Sequence, residues 1–158
     1  MTGREIMLEA LKGHQTPRAP WLPFVGCHGG SLIDKPASEY LRSSDLIVEG
    51  LGKAIELYRP DALPVLFDLQ VEAEVLGCPL QWADDAPPSV TGHPMSLMEG
   101  EGKSLEDLPE FSVDRGRVPM ALDVTRRMRE TVGDEVALYG LVTGPFTLTM
   151  HLMGNDLF

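Results

Sequence analysis

The chain has 158 residues, 43% of them hydrophobic and 23% charged, a composition that fits one globular domain or part of one with apolar residues enough for a core. No run of about 18 apolar residues is available to span a bilayer, and the start, MTGREIMLEALKG, lacks the basic-then-apolar layout of a secretory signal, so no membrane partner and a cytoplasmic location are expected. A formal net charge of −11 repels phosphate backbones and argues against nucleic acid as a partner.

In chain order, Thr2 and Glu5 have the form of a capping box, and Ile6, Leu8 and Leu11 followed by Gly13 mark a helix. Trp21 to Val25 reads as a strand. Ser44 is a candidate cap for a helix in which Ile47, Leu51, Ala54, Ile55 and Tyr58 recur at helical spacing, stopping before Arg59 and Pro60. Ala62 to Phe67 predicts a buried strand, Gln70 to Leu76 a helix closed by Gly77, Leu80 to Trp82 a short strand, and Asp84 to Gly102 a loop. Ser104 opens a second capping sequence, and beyond Pro109 a helix is expected from about Val118 to Val132, stopped by Gly133. VALYGLV, residues 136–142, is a continuous apolar run that fits a strand buried on both faces, and Thr143, Gly144 and Pro145 turn it into a further helix. Strands alternating with helices predict a parallel sheet with helices packed outside, as a doubly wound sheet or a barrel. In either, sites form at the carboxyl ends of the strands.

Asp68 therefore stands out, a carboxylate where an apolar strand stops and a helix begins. Its position has two readings: an N-cap that accepts hydrogen bonds from the first backbone amides, or a group pointing into a ligand site. Cys27 and His28 lie in a glycine-rich loop after the first expected strand, a position that suits substrate lining. Adjacent residues rarely complete one tetrahedral metal site, and no third or fourth ligand is spaced nearby. Cys78 reads as a small buried hydrophobe, His14 and His93 as loop residues, and the two cysteines as reduced thiols. His151 sits among Leu148, Leu152 and Met153, which suits either a core histidine or a substrate contact. Arg126, Arg127 and Arg129 are expected to form a solvated helix face with Asp123 and Glu130.

Three segments together resemble the uroporphyrinogen decarboxylase superfamily, which also contains corrinoid-dependent coenzyme M methyltransferases. RAPWLPF at 18–24 is similar to its first strand. FDLQVEAEVLGCPLQW at 67–82 is similar to the second strand with its acid, helix and hairpin, and in YGLVTGPFTLTMHLMG at 139–154 the Gly144–Pro145 turn followed by Phe146, Thr147 and Leu148 resembles the G-x-P-F/W-T-L motif. The resemblance implies a (β/α)8 TIM barrel. Such barrels typically take about 250 residues, so residues 1–158 are expected to be a truncated, amino-terminal half of one.

In the methyltransferase branch, the resemblance places the zinc ligands, a His-x-Cys pair and a later Cys, in the carboxyl-terminal half. No H-x-C occurs here, so no cofactor and no complete metal site are expected in this chain. In the decarboxylases, an R-Q-A-G-R-Y segment after the first strand holds the carboxylates of an anionic porphyrinogen through bidentate donors. The corresponding GCHGGSLIDK, residues 26–35, has no arginine, and His151 stands where the decarboxylases carry a tyrosine. The pattern is closer to the methyltransferases, in which zinc lowers the pKa of a thiol whose thiolate attacks a methyl group carried on cobalt.

The resemblance thus implies Asp68 as the catalytic carboxylate and a small-molecule substrate or corrinoid protein as partner, while Cys27 and His28, by the position of their loop, and His151, where the decarboxylases carry a tyrosine, are the candidate substrate-binding residues. The fragment alone is expected to be inactive. The alternatives are a uroporphyrinogen decarboxylase or a non-enzymatic half-barrel interaction domain. Exposed strand edges predict self-association.

Overall fold

The computed structural model describes residues 1–66, 68–98 and 100–154. Helix α1 (Gly3–Leu11) starts at the expected capping box: the Thr2 hydroxyl accepts the Glu5 N–H at 3.2 Å, and the Glu5 carboxylate accepts the Thr2 N–H at 2.8 Å. The first expected strand, Trp21 to Val25, does not form a ladder. Pro23 removes one N–H donor within it and Pro20 another just before it, and the Trp21 carbonyl accepts from Asp61 N at 2.9 Å and Ala62 N at 3.4 Å.

The glycine-rich loop that follows is also not a loop. It folds into the short helices α2 (His28–Ser31) and α3 (Ala37–Tyr40), which lead to α4 (Ser44–Tyr58). Ser43, rather than Ser44, caps α4 by accepting the Leu46 N–H. The glycines serve packing, since a Cβ on Gly50 would come within 2.5 Å of the Gly29 carbonyl oxygen. Arg59 ends α4 in the left-handed region at φ 50°, and the chain turns directly into β1 (Ala62–Pro64). Phe67, the last residue expected in that strand, lies outside the described residues.

After β1 come α5 (Val71–Val75) and an antiparallel hairpin, β2 (Leu80–Gln81) with β3 (Ser89–Val90), so the expected loop at 84–102 contributes a strand. A 3₁₀ turn at Leu105–Asp107 uses the Ser104 cap, and α6 (Val118–Val132) has the expected bounds. Strand β4 (Ala137–Tyr139) and helix α7 (Pro145–Met153) complete the order.

β1 and β4 pair in parallel, with Leu63 opposite Leu138, and α6 lies in the crossover between them. Leu63 and Leu138 join one apolar cluster with Ile47, Leu51 and Ala54 of α4 and Val124 and Met128 of α6, so these two helices cover that face of the pair. A smaller cluster, centred on Ala73, Cys78 and Leu152, docks the hairpin and α5 on α7. β4 departs from expectation. Its three residues are half-buried, and Val142 just beyond it is 76% exposed, because β4 pairs with a neighbour on one edge alone among the described residues. Helix α1 closes the amino-terminal end of the strands, where Arg4 N–H donates to the Glu135 carbonyl at 2.8 Å.

Candidate functional site

A cleft of about 230 Å3 opens at the carboxyl ends of β1 and β4. Val65, Leu66 and Asp68 follow β1, Gly140 to Val142 follow β4, and Val118, Ala121 and Leu122 of α6 form a wall. The lining is apolar apart from Asp68, Glu72 and Thr125. This is the end of a parallel sheet at which ligands bind, because the loops leaving the strands are free to vary there.

Asp68 is not the N-cap of α5. Gln70 holds that position, and Asp68 instead forms an Asx turn in which Oδ1 accepts the Gln70 N–H at 2.9 Å. Its other oxygen takes a short charge-assisted hydrogen bond from Arg117 Nη1. The Asp68 side chain is fully enclosed, at 0% exposure, and that of Arg117 is 8% exposed. In this conformation Asp68 influences the cleft through its charge and the turn it fixes, without touching a ligand.

Arg117 immediately precedes α6, and no local motif in the sequence marks it. Its Nε donates to Glu74 at 2.8 Å, its Nη1 also reaches the Leu41 carbonyl at 3.4 Å, and its guanidinium lies 4.7 Å from the centre of the Trp82 ring. Arg42 lies over the same ring at 4.8 Å. Arg117 Nη2 is buried without a hydrogen-bond partner. Burial works against the guanidinium charge, but the bonds and attraction from Asp68 and then Glu74 outweigh it and hold the pKa above the ordinary arginine value. Two features of the sequence bear on this placement. Pro119 in the first turn of α6 sets the helix start, and Gly116, at φ 54°, makes the turn that delivers Arg117 inward.

A second link crosses the cleft floor. Thr143, after β4, donates its N–H to Glu72 Oε1 at 3.2 Å, and its hydroxyl lies 2.7 Å from both the Leu69 carbonyl and Glu72 Oε2. Residues 68–74 are thereby pinned on one side by Arg117 and on the other by Thr143.

The other expected site residues divide. Cys27 is half-buried and packs against the larger apolar cluster, and its thiol pKa is raised first by burial and then by the negative charge of Asp68. His28 goes elsewhere: Nε2 lies 2.7 Å from the Tyr58 hydroxyl at the end of α4, with the rings stacked at 5.9 Å. His151 packs toward the smaller cluster. Its carbonyl accepts from His93 Nδ1 at 2.9 Å and from the Cys78 thiol at 3.3 Å, and its Nε2 is buried without a hydrogen-bond partner. Burial, then the neighbouring His93, lower the His151 pKa against a hydrogen bond to the Leu69 backbone. His93 is therefore a part-buried bridge to α7. Cys78 is the buried hydrophobe expected, its thiol pushed up to about 11 by burial. Arg126 and Arg127 pair with Asp123, but Arg127 also reaches Asp45, and Arg129 takes Asp134 instead of Glu130.

Among the described residues, no three His, Cys, Asp or Glu side chains converge on a point that could hold a metal ion. His28 turns to the Tyr58 hydroxyl and Cys78 donates to the His151 carbonyl, so the donor set among the described residues does not fit zinc.

Comparison with known proteins fits this geometry. The family model for uroporphyrinogen decarboxylase (URO-D) matches residues 2–157. The methylcobamide:CoM methyltransferase MtbA of Methanosarcina mazei is 32% identical over 99% of this chain and 46% of its own length. Uroporphyrinogen decarboxylase 2, chloroplastic, of Arabidopsis thaliana is 28% identical over 96% of this chain and 39% of its own. A solved methyltransferase from Methanosarcina mazei superposes with a TM-score of 0.80 at 27% identity, covering 98% of this chain and 46% of that one. The chain thus spans no more than about half the length of these relatives. With the family match running nearly end to end, and the parallel strands, crossover helix and G-P-F-T-L turn in the arrangement of a solved relative, the chain belongs to the uroporphyrinogen decarboxylase (URO-D) family.

Proposed function

We propose that this chain forms the amino-terminal half of a (β/α)8 barrel enzyme of the cytoplasm that moves a methyl group from a corrinoid protein to a thiol, and that this half alone is inactive. The observation that carries the choice of reaction is the character of the cleft. A porphyrinogen with many carboxylates needs several free cations, yet the cleft wall is apolar, its charged residues are Asp68 and Glu72, and the buried Arg117 beside it is engaged by Asp68 and Glu74. Residues 26–35, which lack arginine, pack as helix α2 against α4 instead of offering donors to an anion. The methyltransferases among the relatives support the same reading.

In this proposal the apolar wall accepts the uncharged part of a ligand and excludes water. Asp68 acts as a site residue through the turn it holds, and Cys27, near Asp68, lines the approach as a neutral thiol. His28 and His151 would contribute only through the helices they brace. Because the donor set here does not fit zinc, any metal used by the intact protein is held by residues outside this chain, and no step is assigned to it. The open edge of β4 is where a complementary half, or a second copy, would pair.

The test is to incubate the intact protein with methylcobalamin and 2-mercaptoethanesulfonate, following loss of the cobalt–methyl absorbance and formation of the thioether by mass spectrometry. Parallel incubations contain uroporphyrinogen, and a third series uses residues 1–158 alone. Thioether from the intact protein with none from the half is expected. Decarboxylated porphyrinogen without thioether overturns the proposed reaction, and turnover by the half overturns its inactivity. Light scattering on residues 1–158 at high concentration checks self-association, which a monodisperse monomer would refute.

A further inference from the structure

We infer that Arg117 is a positioning residue for this site: by engaging Asp68, Glu74 and the Leu41 carbonyl together while lying on Trp82, it fixes the turn through which residues 68–74 form the cleft floor. The argument begins with the enclosure of the acid. Asp68 has no exposed side-chain surface, so its effect on a ligand depends on where its charge is held and on the backbone it orders. Among the described residues, the Gln70 N–H and Arg117 Nη1 are its hydrogen-bond partners, and of these only Arg117 comes from a distant segment.

Each guanidinium edge has a different task. Nε holds Glu74 on α5, Nη1 holds Asp68 and the α3–α4 connection, and the ring of Trp82 fixes the plane. A planar fork can satisfy these directions at once, and an ammonium on a flexible stem cannot. The turn positioned in this way reaches across the cleft, because Glu72, two residues before Glu74, clamps Thr143 at the exit of β4. Arg117 therefore acts on the mouth of both strands from a place that meets no ligand.

The activity arm of the test rests on the proposed function, and the ligand-free arm does not. In the ligand-free arm, backbone amide NMR shifts of Gln70 and Thr143 are compared among the wild-type chain, Arg117→Met, Arg117→Lys and Asp68→Asn. Both amides move in Arg117→Met, that of Gln70 by as much as in Asp68→Asn, while amides of α1 stay in place. Arg117→Lys, which retains the charge, gives a partial return and supplies the result if Arg117→Met does not fold. Unmoved Gln70 and Thr143 amides in both arginine variants overturn the inference.

In the activity arm, Arg117→Met in the intact protein lowers kcat about tenfold or more per folded molecule with KM little changed, the effect of a misplaced site. Adding Asp68→Asn to Arg117→Met produces no further loss, because both act through one turn. Multiplying losses overturn the inference even with the amide shifts in hand. A wild-type protein inactive in methyl transfer refutes the proposed function, and the amide shifts then decide the role of Arg117 alone.

Discussion

The two ends of the β1–β4 pair each bury an aspartate against an arginine, and they do so differently. At the amino-terminal end, Asp61 accepts both terminal nitrogens of Arg18 and the Trp21 N–H at 2.8 Å. The Asp61 side chain is 2% exposed, but Arg18 is 54% exposed and keeps much of its hydration. At the carboxyl-terminal end both Asp68 and Arg117 are removed from water, and one arginine nitrogen is left without a partner. The first pair is a strut that seats the segment before β1. The second requires a desolvated cation to be matched by two carboxylates, and that cost is borne at the end where parallel sheets place their sites.

The largest break in this comparison is Arg117→Met. It leaves Asp68 buried and unpaired, for which a loss of roughly 3–5 kcal/mol is expected in urea unfolding of the isolated chain. Arg18→Met should lose less, and its loss should shrink in high salt, because one partner is in solvent. Equal losses at the two ends, or equal salt dependence, would erase the distinction drawn between strut and site.

Glycines at the two ends give smaller effects. A Cβ on Gly3 would come within 2.7 Å of the Asp61 Cα, a backbone atom that cannot yield, so Gly3→Ala is expected to cost about 1–3 kcal/mol. Gly116→Ala meets Val75 at a tolerable 3.2 Å but must adopt φ 54°, for about 1–2 kcal/mol. Thermal unfolding of the two variants ranks them. A stabilised Gly116→Ala would mean that the turn delivering Arg117 is not strained by a side chain.

Acid separates the same regions by pH. Arg18, chiefly through its hydrogen bonds, holds the Asp61 pKa below its ordinary 3.8, so in that window the unfolded chain binds more protons. The Asp61 contribution is therefore complete above pH 3.8 and is lost as pH falls through that value toward the folded one. Burial lowers the His151 pKa below 6.5, and by the same sign its contribution fades earlier, as pH falls below 6.5. Unfolding midpoints between pH 7 and 3 should thus fall in two phases. His151→Gln should remove the upper one, and a single phase unaffected by that substitution would count against the role of burial at His151.

The segments legible in the sequence were those whose signal is local. The Thr2 capping box, the apolar stripe of α4, the bounds of α6 and the G-P-F-T-L turn all rest on spacing within a few residues, where backbone geometry and capping act. Trp21 to Val25 has the apolar residues of a strand, but Pro23 within it and Pro20 just before it withhold N–H groups a ladder needs. The glycines of 26–35 failed because a small side chain permits either a loop or a close helix contact, and only the position of Gly50 decides between them. Asp68 was legible as a special acid, although its partner was not. Arg115 and Arg117 flank one glycine and look alike in sequence, yet Arg115 bonds the Glu110 carbonyl at the surface and Arg117 is buried.

By itself, then, the sequence determined the alternation of strand and helix, the family and the acid at the end of β1, because each is written in neighbouring residues or in motifs. The tertiary structure alone decided that Asp68 is enclosed, that Arg117 holds it from 49 residues away, that His28 turns to Tyr58 and that Thr143 closes on Glu72. The physical reason is that burial and charge pairing depend on which segments the parallel crossover brings together, and no local pattern carries that information.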